Sequence, residues 1–269
     1  MGVYPVRMTH ATYVALAVGN TRARWGLFHG KDLEESGVAP SADGEAAARA
    51  IIALLDEQHD GVVVMASVNP AKSDAIAGRL EDAGIRIARI GRDVAIPLTH
   101  ALDDATTPGQ DRALCALAAY RRAGQACVVV DAGTAITVDF VDGEGVFQGG
   151  VIAPGLGMML AALHERTAAL PSVIYAPVDA SDGPFGRDTR GAMIRGVRNA
   201  AKGLVRETVE QYAEAFGAYP QIVATGGDAR VLFESDDLVE SIVPDLQLLG
   251  IAEAWLAAES DTDAESNEA

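Results

Sequence analysis

The chain has 269 residues, of which 49% are hydrophobic and 22% are charged, enough apolar material for one large α/β domain or two smaller lobes. Its formal net charge is −17 at pH 7, which argues against nucleic acid or an anionic membrane as the main partner. ATP remains compatible with this charge, because an anion site needs only local backbone donors and a metal ion. The sequence lacks a signal-peptide pattern and any apolar run of membrane-spanning length, so we expect a cytoplasmic protein.

Strands alternate with helices in the first half of the chain. The apolar periodicity predicts strands at residues 13–18, 21–28, 61–66 and 85–90, and helices at 44–59 and 71–83. Strands and helices that alternate at this spacing are typical of a sheet with helices packed on it.

The second half begins again with the same order of elements. The pattern predicts strands at residues 126–130, 136–141, 149–154 and 221–225, and helices at 156–168, 189–216 and 250–258. Residues 16–21 can be laid on residues 130–135, since each stretch is a buried strand, a sharp glycine turn and an outgoing strand. This repetition predicts two duplicated lobes that face each other across a cleft.

These patterns also predict the domain organisation. We expect a leader at residues 1–12, an N-terminal lobe at 13–118, a C-terminal lobe at 119–256 and an acidic, disordered tail at 257–269.

Two glycine turns are candidates for binding phosphate. The first glycine turn consists of Gly19, Asn20, Thr21 and Arg22, and the second consists of Gly133, Thr134 and Ala135. Glycine lets backbone N–H groups approach a phosphate closely, and the hydroxyl and amide side chains add donors. The alternative is a pair of ordinary β-hairpins. The sequence has no P-loop pattern.

Two further motifs carry carboxylates. Asp111 lies at the start of an apolar helix, where it could act in catalysis or simply stabilise the helix N-terminus. Asp228 follows Gly226 and Gly227 at the end of a predicted strand. This glycine pair could admit a flat ring and the Asp could bind a ribose, or the motif could be a generic turn.

The ordered combination of motifs is far more specific than any one of them. It resembles the type III pantothenate kinase family, and the resemblance covers residues 13–256. The matching motifs are Gly19-Asn20-Thr21-Arg22, Gly109-Gln110-Asp111-Arg112, Asp131-Ala132-Gly133-Thr134-Ala135, Gly149-Gly150-Val151-Ile152-Ala153-Pro154-Gly155, Thr189-Arg190-Gly191, Gly226-Gly227-Asp228 and the closing Pro244-Asp245-Leu246-Gln247-Leu248-Leu249-Gly250.

The resemblance implies an α/β fold of two actin-like (ribonuclease H-like) lobes around a nucleotide cleft, and a homodimer. It implies transfer of the ATP γ-phosphoryl group to pantothenate, which gives 4'-phosphopantothenate in the first step of coenzyme A biosynthesis. Mg²⁺ and a monovalent cation, K⁺ or NH₄⁺, are the implied cofactors.

The resemblance also assigns roles to residues. Asp111 is implied as the general base, and Asp131 as the ligand of the monovalent cation. The implied pantothenate-binding residues are Gly109, Gln110, Asp111, Arg112 and Thr189. The implied ATP-binding residues are Gly19, Asn20, Thr21, Arg22, Arg24, Gly133, Thr134, Gly226, Gly227 and Asp228.

Two positions depart from the family pattern. Ala17 stands where the family has the Asp of Asp-x-Gly-Asn-Thr, and an alanine cannot bind a metal ion or its waters. Residues 99–107 contain no Tyr, although the family often has one there. Three hypotheses follow: an active pantothenate kinase with weakened or altered metal dependence, a non-catalytic descendant that binds a ligand or a partner, or an actin-like kinase for a sugar or short acid.

Overall fold

The computed structural model describes residues 12–55, 61–103, 108–177 and 183–267, with side chains described up to residue 260. The predicted leader lies outside the described residues except for Thr12, which begins the first strand. Within the described part of the chain, no helix is both long and apolar enough to cross a membrane.

The first half forms a mixed five-stranded sheet. Its strands are β1 (Thr12–Val18), β2 (Arg22–His29), β3 (Asp32–Pro40), β4 (Val62–Ser67) and β5 (Arg86–Arg89), and they lie in the order β3-β2-β1-β4-β5. The central strand β1 runs antiparallel to β2 and parallel to β4. The strands predicted in this half are confirmed, but β3 was missed because it is a largely exposed edge strand without apolar alternation.

Two helices cover one face of this sheet. They are α1 (Gly44–Leu55) and α2 (Pro70–Asp82). Alternate β1 residues, Val14, Leu16 and Val18, point into the apolar cluster that these helices share. The other β1 residues, Tyr13, Ala15 and Ala17, point into a second cluster on the opposite face.

The second half repeats the first sheet. Its strands are β6 (Cys127–Ala132), β7 (Ala135–Val141), β8 (Phe147–Pro154), β9 (Gln221–Thr225) and β10 (Ser241–Ile242), in the order β10-β9-β6-β7-β8. Read from β8, this is the order of the first sheet, and β6 is again antiparallel to one neighbour and parallel to the other. The duplication predicted from the glycine turns is therefore confirmed at the level of topology.

The remaining helices are α3 (Gln110–Ala123), α4 (Leu156–Glu165), α5 (Thr189–Phe216), α6 (Ala229–Phe233) and α7 (Leu246–Asn267). The prediction for α5 is confirmed at both ends. It begins at its N-cap Asp188 and stops at Gly217, whose left-handed backbone (φ +78) ends a helix readily. The α6 helix and the two-residue strand β10 were not predicted.

The chain divides into two compact units whose limits differ from the predicted ones at two places. Unit 1 contains the described residues of 1–98, 104–118 and 245–267, and unit 2 contains 99–103 and 119–244. Residues 99–103 join unit 2 because Phe147 pairs with them: its N–H donates to the Thr99 carbonyl and its carbonyl accepts from the Ala101 N–H.

The C-terminal helix α7 belongs to unit 1, whereas the sequence placed it in the C-terminal lobe. Leu248, Ile251 and Trp255 pack into the cluster on the Ala17 face of the first sheet. A Cβ atom on Gly250 would lie 2.1 Å from the Leu114 carbonyl oxygen, so α7 approaches α3 as closely as backbones allow. The helix extends to Asn267, where the sequence predicted disorder from residue 257.

Candidate functional site

The first glycine turn connects β1 to β2 at the carboxyl end of β1. The Gly19 N–H donates to the Arg22 carbonyl at 2.9 Å and closes the turn. Ser41 fixes it from outside, because its N–H donates to the Thr21 carbonyl at 2.9 Å and its Oγ donates to the Gly19 carbonyl at 2.8 Å. The backbone is thus fixed while the Asn20 side chain lies at the surface.

Asn69 and Lys72, which sequence analysis did not single out, hold the tip of this turn. Asn69 caps α2 by accepting from the Lys72 N–H at 3.2 Å. Its Nδ2 donates to Asn20 Oδ1 at 3.0 Å, and Lys72 Nζ donates to the Asn20 carbonyl. The Asn20 amide is therefore oriented with Oδ1 toward Asn69 and with its NH₂ group away from it. An Asn-Pro pair directly after a buried strand is the N-cap signal that could have revealed this contact.

Ala17 lies in the apolar interior of unit 1 and is only 3% exposed. It sits beside Ala66 of β4 and directly opposite Arg24 of β2. The Arg24 guanidinium donates from Nη1 to Asp245 Oδ1 at 2.8 Å. The place of the family's carboxylate is thus occupied by a methyl group, with an arginine as its cross-strand neighbour.

The second glycine turn connects β6 to β7 in the same manner. The Gly133 N–H donates to the Ala135 carbonyl at 2.9 Å, and the Gly155 N–H donates to the Thr134 carbonyl at 3.0 Å. A Cβ atom on Gly155 would lie 2.3 Å from the Gly133 carbonyl oxygen. The glycine that precedes α4 is therefore required so that the helix can begin directly against this turn.

Asp131 occupies the position in β6 that Ala17 occupies in β1, one residue before the end of the strand. A Cβ atom on Gly226 would lie 2.4 Å from both Asp131 Oδ1 and the Ala132 carbonyl oxygen. Gly226 has φ +94 and can pack this closely because it carries no side chain, and the Asp228 N–H donates to the same carbonyl at 2.9 Å. Asp131 Oδ1 and the Ala132 carbonyl oxygen thus both lie against Gly226, and oxygen atoms are the donors preferred by hard cations such as the monovalent ion that the family resemblance implies for Asp131.

Clusters that would bind a metal through protein ligands alone are absent from the described residues: no three His, Cys, Asp or Glu side chains gather in that way. A magnesium ion that enters with ATP needs only one or two carboxylates, since phosphates and waters fill its other positions.

Asp111 lies in the first turn of α3 and is half-buried. Its Oδ1 accepts from the Arg112 N–H at 2.9 Å, and a Cβ atom on Gly109 would lie 2.5 Å from the same oxygen. Gln110 is used inside the fold, because its side chain accepts from the Ser67 N–H at 3.1 Å and donates to the Ile90 carbonyl at 2.9 Å. These two bonds anchor the start of α3 to the carboxyl ends of β4 and β5.

Thr189 is the first residue of α5 and lies exposed beside the N-cap Asp188. The structure therefore brings the predicted residues together in two groups. In unit 1 the first glycine turn, Arg24 and the start of α3 share the carboxyl-end side of the first sheet. In unit 2 the second glycine turn, Asp131 and Gly226–Asp228 lie at the carboxyl ends of β6 and β9, and Thr189 begins α5.

Two sheets with the strand order 3-2-1-4-5, each with a glycine turn after its central strand, define the class: the chain has the actin-like α/β fold. A solved structure, the (R)-2-hydroxyglutaryl-CoA dehydratase component A of Acidaminococcus fermentans, has this fold with a TM-score of 0.51 at 16% sequence identity. The match covers 94% of this chain and 99% of that one.

The family model for type III pantothenate kinase matches residues 13–211, and the chain belongs to this family. A type III pantothenate kinase of Rhodopirellula baltica is 39% identical over 180 residues, which cover 64% of this chain and 63% of that protein. One from Ruegeria pomeroyi is 38% identical over 169 residues, which cover 62% of this chain and 64% of that protein. The chain thus matches less than two thirds of the length of these relatives.

Proposed function

We propose that this protein transfers the γ-phosphoryl group of ATP to the primary hydroxyl of pantothenate and so catalyses the first step of coenzyme A biosynthesis. The observation that carries this proposal is the family match over residues 13–211, which takes in five of the ordered motifs, from the first glycine turn to Thr189. The fixed geometry of the two glycine turns supports it, because phosphoryl transfer depends mostly on positioning and charge neutralisation.

We assign candidate ATP-binding residues in each unit by itself. In unit 1 we assign the phosphates to the first glycine turn and Arg24, and in unit 2 to Gly133 and Thr134. The turns are closed by bonds within the protein, so their backbones are held in shape before a phosphate binds. Gly226, Gly227 and Asp228 are assigned to the nucleoside, because a glycine pair can let a flat ring lie against the backbone and an Asp can bind a ribose.

Asp111 is assigned as the general base. Its carboxylate takes the proton of the pantothenate hydroxyl as that oxygen bonds to the γ-phosphorus and the bond to ADP breaks. Gly109, Gln110 and Arg112 surround it at the start of α3, and Thr189 is assigned to the same substrate. Mg²⁺ bound to the ATP phosphates would supply neutralisation of their charge.

Asp131 is assigned to a monovalent cation, K⁺ or NH₄⁺. Asp131 Oδ1 and the Ala132 carbonyl oxygen both lie close to Gly226, and both are oxygen donors. Held there, the cation would fix the end of β6 next to the second glycine turn.

A coupled assay with ATP, Mg²⁺ and pantothenate tests this function directly. We expect ADP release that requires pantothenate and rises when K⁺ or NH₄⁺ replaces Na⁺. If ATP binds but no ADP forms with pantothenate, the protein is a non-catalytic descendant of the family, which is the outcome that Ala17 would favour. Turnover only with a sugar or a short acid would favour the third hypothesis.

We also infer a homodimer built on β8 and the helices that follow it. Support comes from apolar side chains at the surface of this region, among them Ile152 at 63% exposure and Met158 at 48%. Light scattering at micromolar concentration should report twice the mass of the chain, and a monomer would contradict the inference. A cytoplasmic location would follow from the use of ATP, and fractionation of cells tests it.

A further inference from the structure

Arg24 is tied to the C-terminal helix of unit 1 by a carboxylate that sequence analysis left without a role. Arg24 Nη1 lies 2.8 Å from Asp245 Oδ1, and Ser36 Oγ donates to Asp245 Oδ2 at 3.2 Å. Both carboxylate oxygens of Asp245 thus accept a hydrogen bond, one from a residue of β2 and one from a residue of β3. The two charged side chains are only 28% and 23% exposed.

Asp245 is a rigidly placed partner. Its carbonyl accepts from the Leu249 N–H at 3.1 Å, so it stands at the first turn of α7. Leu248 is fully buried in the apolar cluster, and Gly250 sits against the backbone of α3. A carboxylate on such an anchored helix end does not need to be ordered when the ion pair forms, which removes part of the entropy that usually weakens ion pairs.

Arg24 is also the cross-strand neighbour of Ala17 in the antiparallel pair of β1 and β2. Directly opposed residues project from the same face of the sheet with Cβ atoms about 5 Å apart. A carboxylate at position 17 would therefore lie within reach of the same guanidinium. In this chain position 17 offers no charge, and Asp245 approaches Arg24 from α7.

We propose that Asp245 is a positioning residue that holds the Arg24 guanidinium beside the first glycine turn, where it meets a nucleotide phosphate. The inference rests on the proposed function for the identity of the ligand, and it adds the residue through which α7 contributes to the site. A free arginine side chain samples many rotamers, and one fixed by a carboxylate loses less freedom when a phosphate binds.

The first test measures the affinity for the Mg²⁺ complex of the non-hydrolysable analogue β,γ-imido-ATP by calorimetry. Asp245→Asn should weaken binding about tenfold and raise the KM for ATP by a similar factor, while kcat stays within about threefold. Glu35→Gln is the charge-matched control, because Glu35 is an exposed carboxylate on the same strand as Ser36. It should change the affinity less than about twofold.

The second test asks whether Asp245 acts through Arg24. In an Arg24→Gln background, Asp245→Asn should cause no further loss of affinity, since the group that it positions is gone. Placing Ala17→Asp into Asp245→Asn should bring the affinity back to within about threefold of the parent. Thermal melts of each variant separate lost folding from lost binding.

Two results would overturn the inference: unchanged analogue affinity in Asp245→Asn, or independent, additive losses from Asp245→Asn and Arg24→Gln. Because the binding assay needs no turnover, it remains decisive if pantothenate is not phosphorylated. In that case the coupled assay contradicts the proposed function, and the calorimetry alone decides the role of Asp245.

Discussion

The two glycine turns share one scaffold and differ in one side chain. Both follow the central strand of a five-stranded sheet, and each is closed by a glycine N–H that donates back to the outgoing segment. At equivalent positions one carries Ala17, buried among apolar residues, and the other carries Asp131, whose Oδ1 lies close to Gly226. The scaffold therefore forms with or without the carboxylate.

This difference separates what the fold requires from what the chemistry requires. The β1 face that contains Tyr13, Ala15 and Ala17 needs only side chains that pack, and a methyl group satisfies that need. A carboxylate there would instead need a partner, and Arg24 is the residue placed to provide one. Exchanging Ala and Asp at position 17 or at position 131 thus measures what a carboxylate at each turn contributes to activity.

Making the second turn like the first should have the largest effect. Asp131→Ala removes the carboxylate assigned to the monovalent cation, and we expect kcat/KM for ATP to fall by about 10²–10³-fold. Steady-state kinetics at varied K⁺ measure this loss, and the variant should no longer respond to K⁺. A variant that keeps the full response to K⁺ would place the cation elsewhere.

A substitution at the start of α3 should have the next largest effect on activity. Asp111→Asn keeps the size of the side chain but removes the base, so kcat should fall by about 10²-fold or more while the analogue still binds. Single-turnover measurements with pantothenate locate the loss in the chemical step. Unchanged turnover would remove Asp111 from the role of base.

Making the first turn like the second should improve the enzyme. Ala17→Asp places a carboxylate opposite Arg24, and we expect Mg²⁺-dependent phosphorylation to rise by at least about tenfold, or roughly 1.4 kcal/mol of barrier. The gain should fade without Mg²⁺ if the new carboxylate acts through the metal, and it should persist if the carboxylate acts only by pairing with Arg24. Ala17→Asn, of similar size but without charge, is the matched control and should give no such gain.

Two outcomes would contradict the prediction for Ala17→Asp. A parent that already runs at the rate of the variant would mean that another carboxylate fills the role of position 17. If parent and variant are both inert while the analogue binds, the chain is a binder rather than a kinase.

Changing the contact that orients Asn20 should have the smallest effect. Asn69→Asp and Asn69→Ser both keep a good N-cap for α2, so stability should change little. The Asp variant offers only acceptors to Asn20 and should turn its amide around, which would present Oδ1 instead of NH₂ to a phosphate. We expect the KM for ATP to rise about threefold to tenfold for Asp and less for Ser. If the two variants have the same KM for ATP, Asn69 acts only as the N-cap of α2.

Most of the elements could be predicted from local pattern. The strands from β1 to β9 other than β3 were found within two residues, because most of them are buried apolar runs bounded by turn residues. β3 was missed since an exposed edge strand needs no apolar alternation, and the full length of α7 was missed because its second half is polar. The roles assigned to site residues came from motif order, and they stay predictions that the experiments above address.

The sequence by itself determined the α/β class with its internal duplication, the position of both glycine turns and, through the family resemblance, the loss of a carboxylate at Ala17, since all of these depend on residue type and local order. Only the tertiary structure decided that α7 returns to unit 1, that Asp245 pairs with Arg24, and that Asn69 and Lys72 hold Asn20. Asp245 and Arg24 are 221 residues apart in the chain. Contacts of such separation depend on how packed elements meet, and no local pattern of the sequence records that.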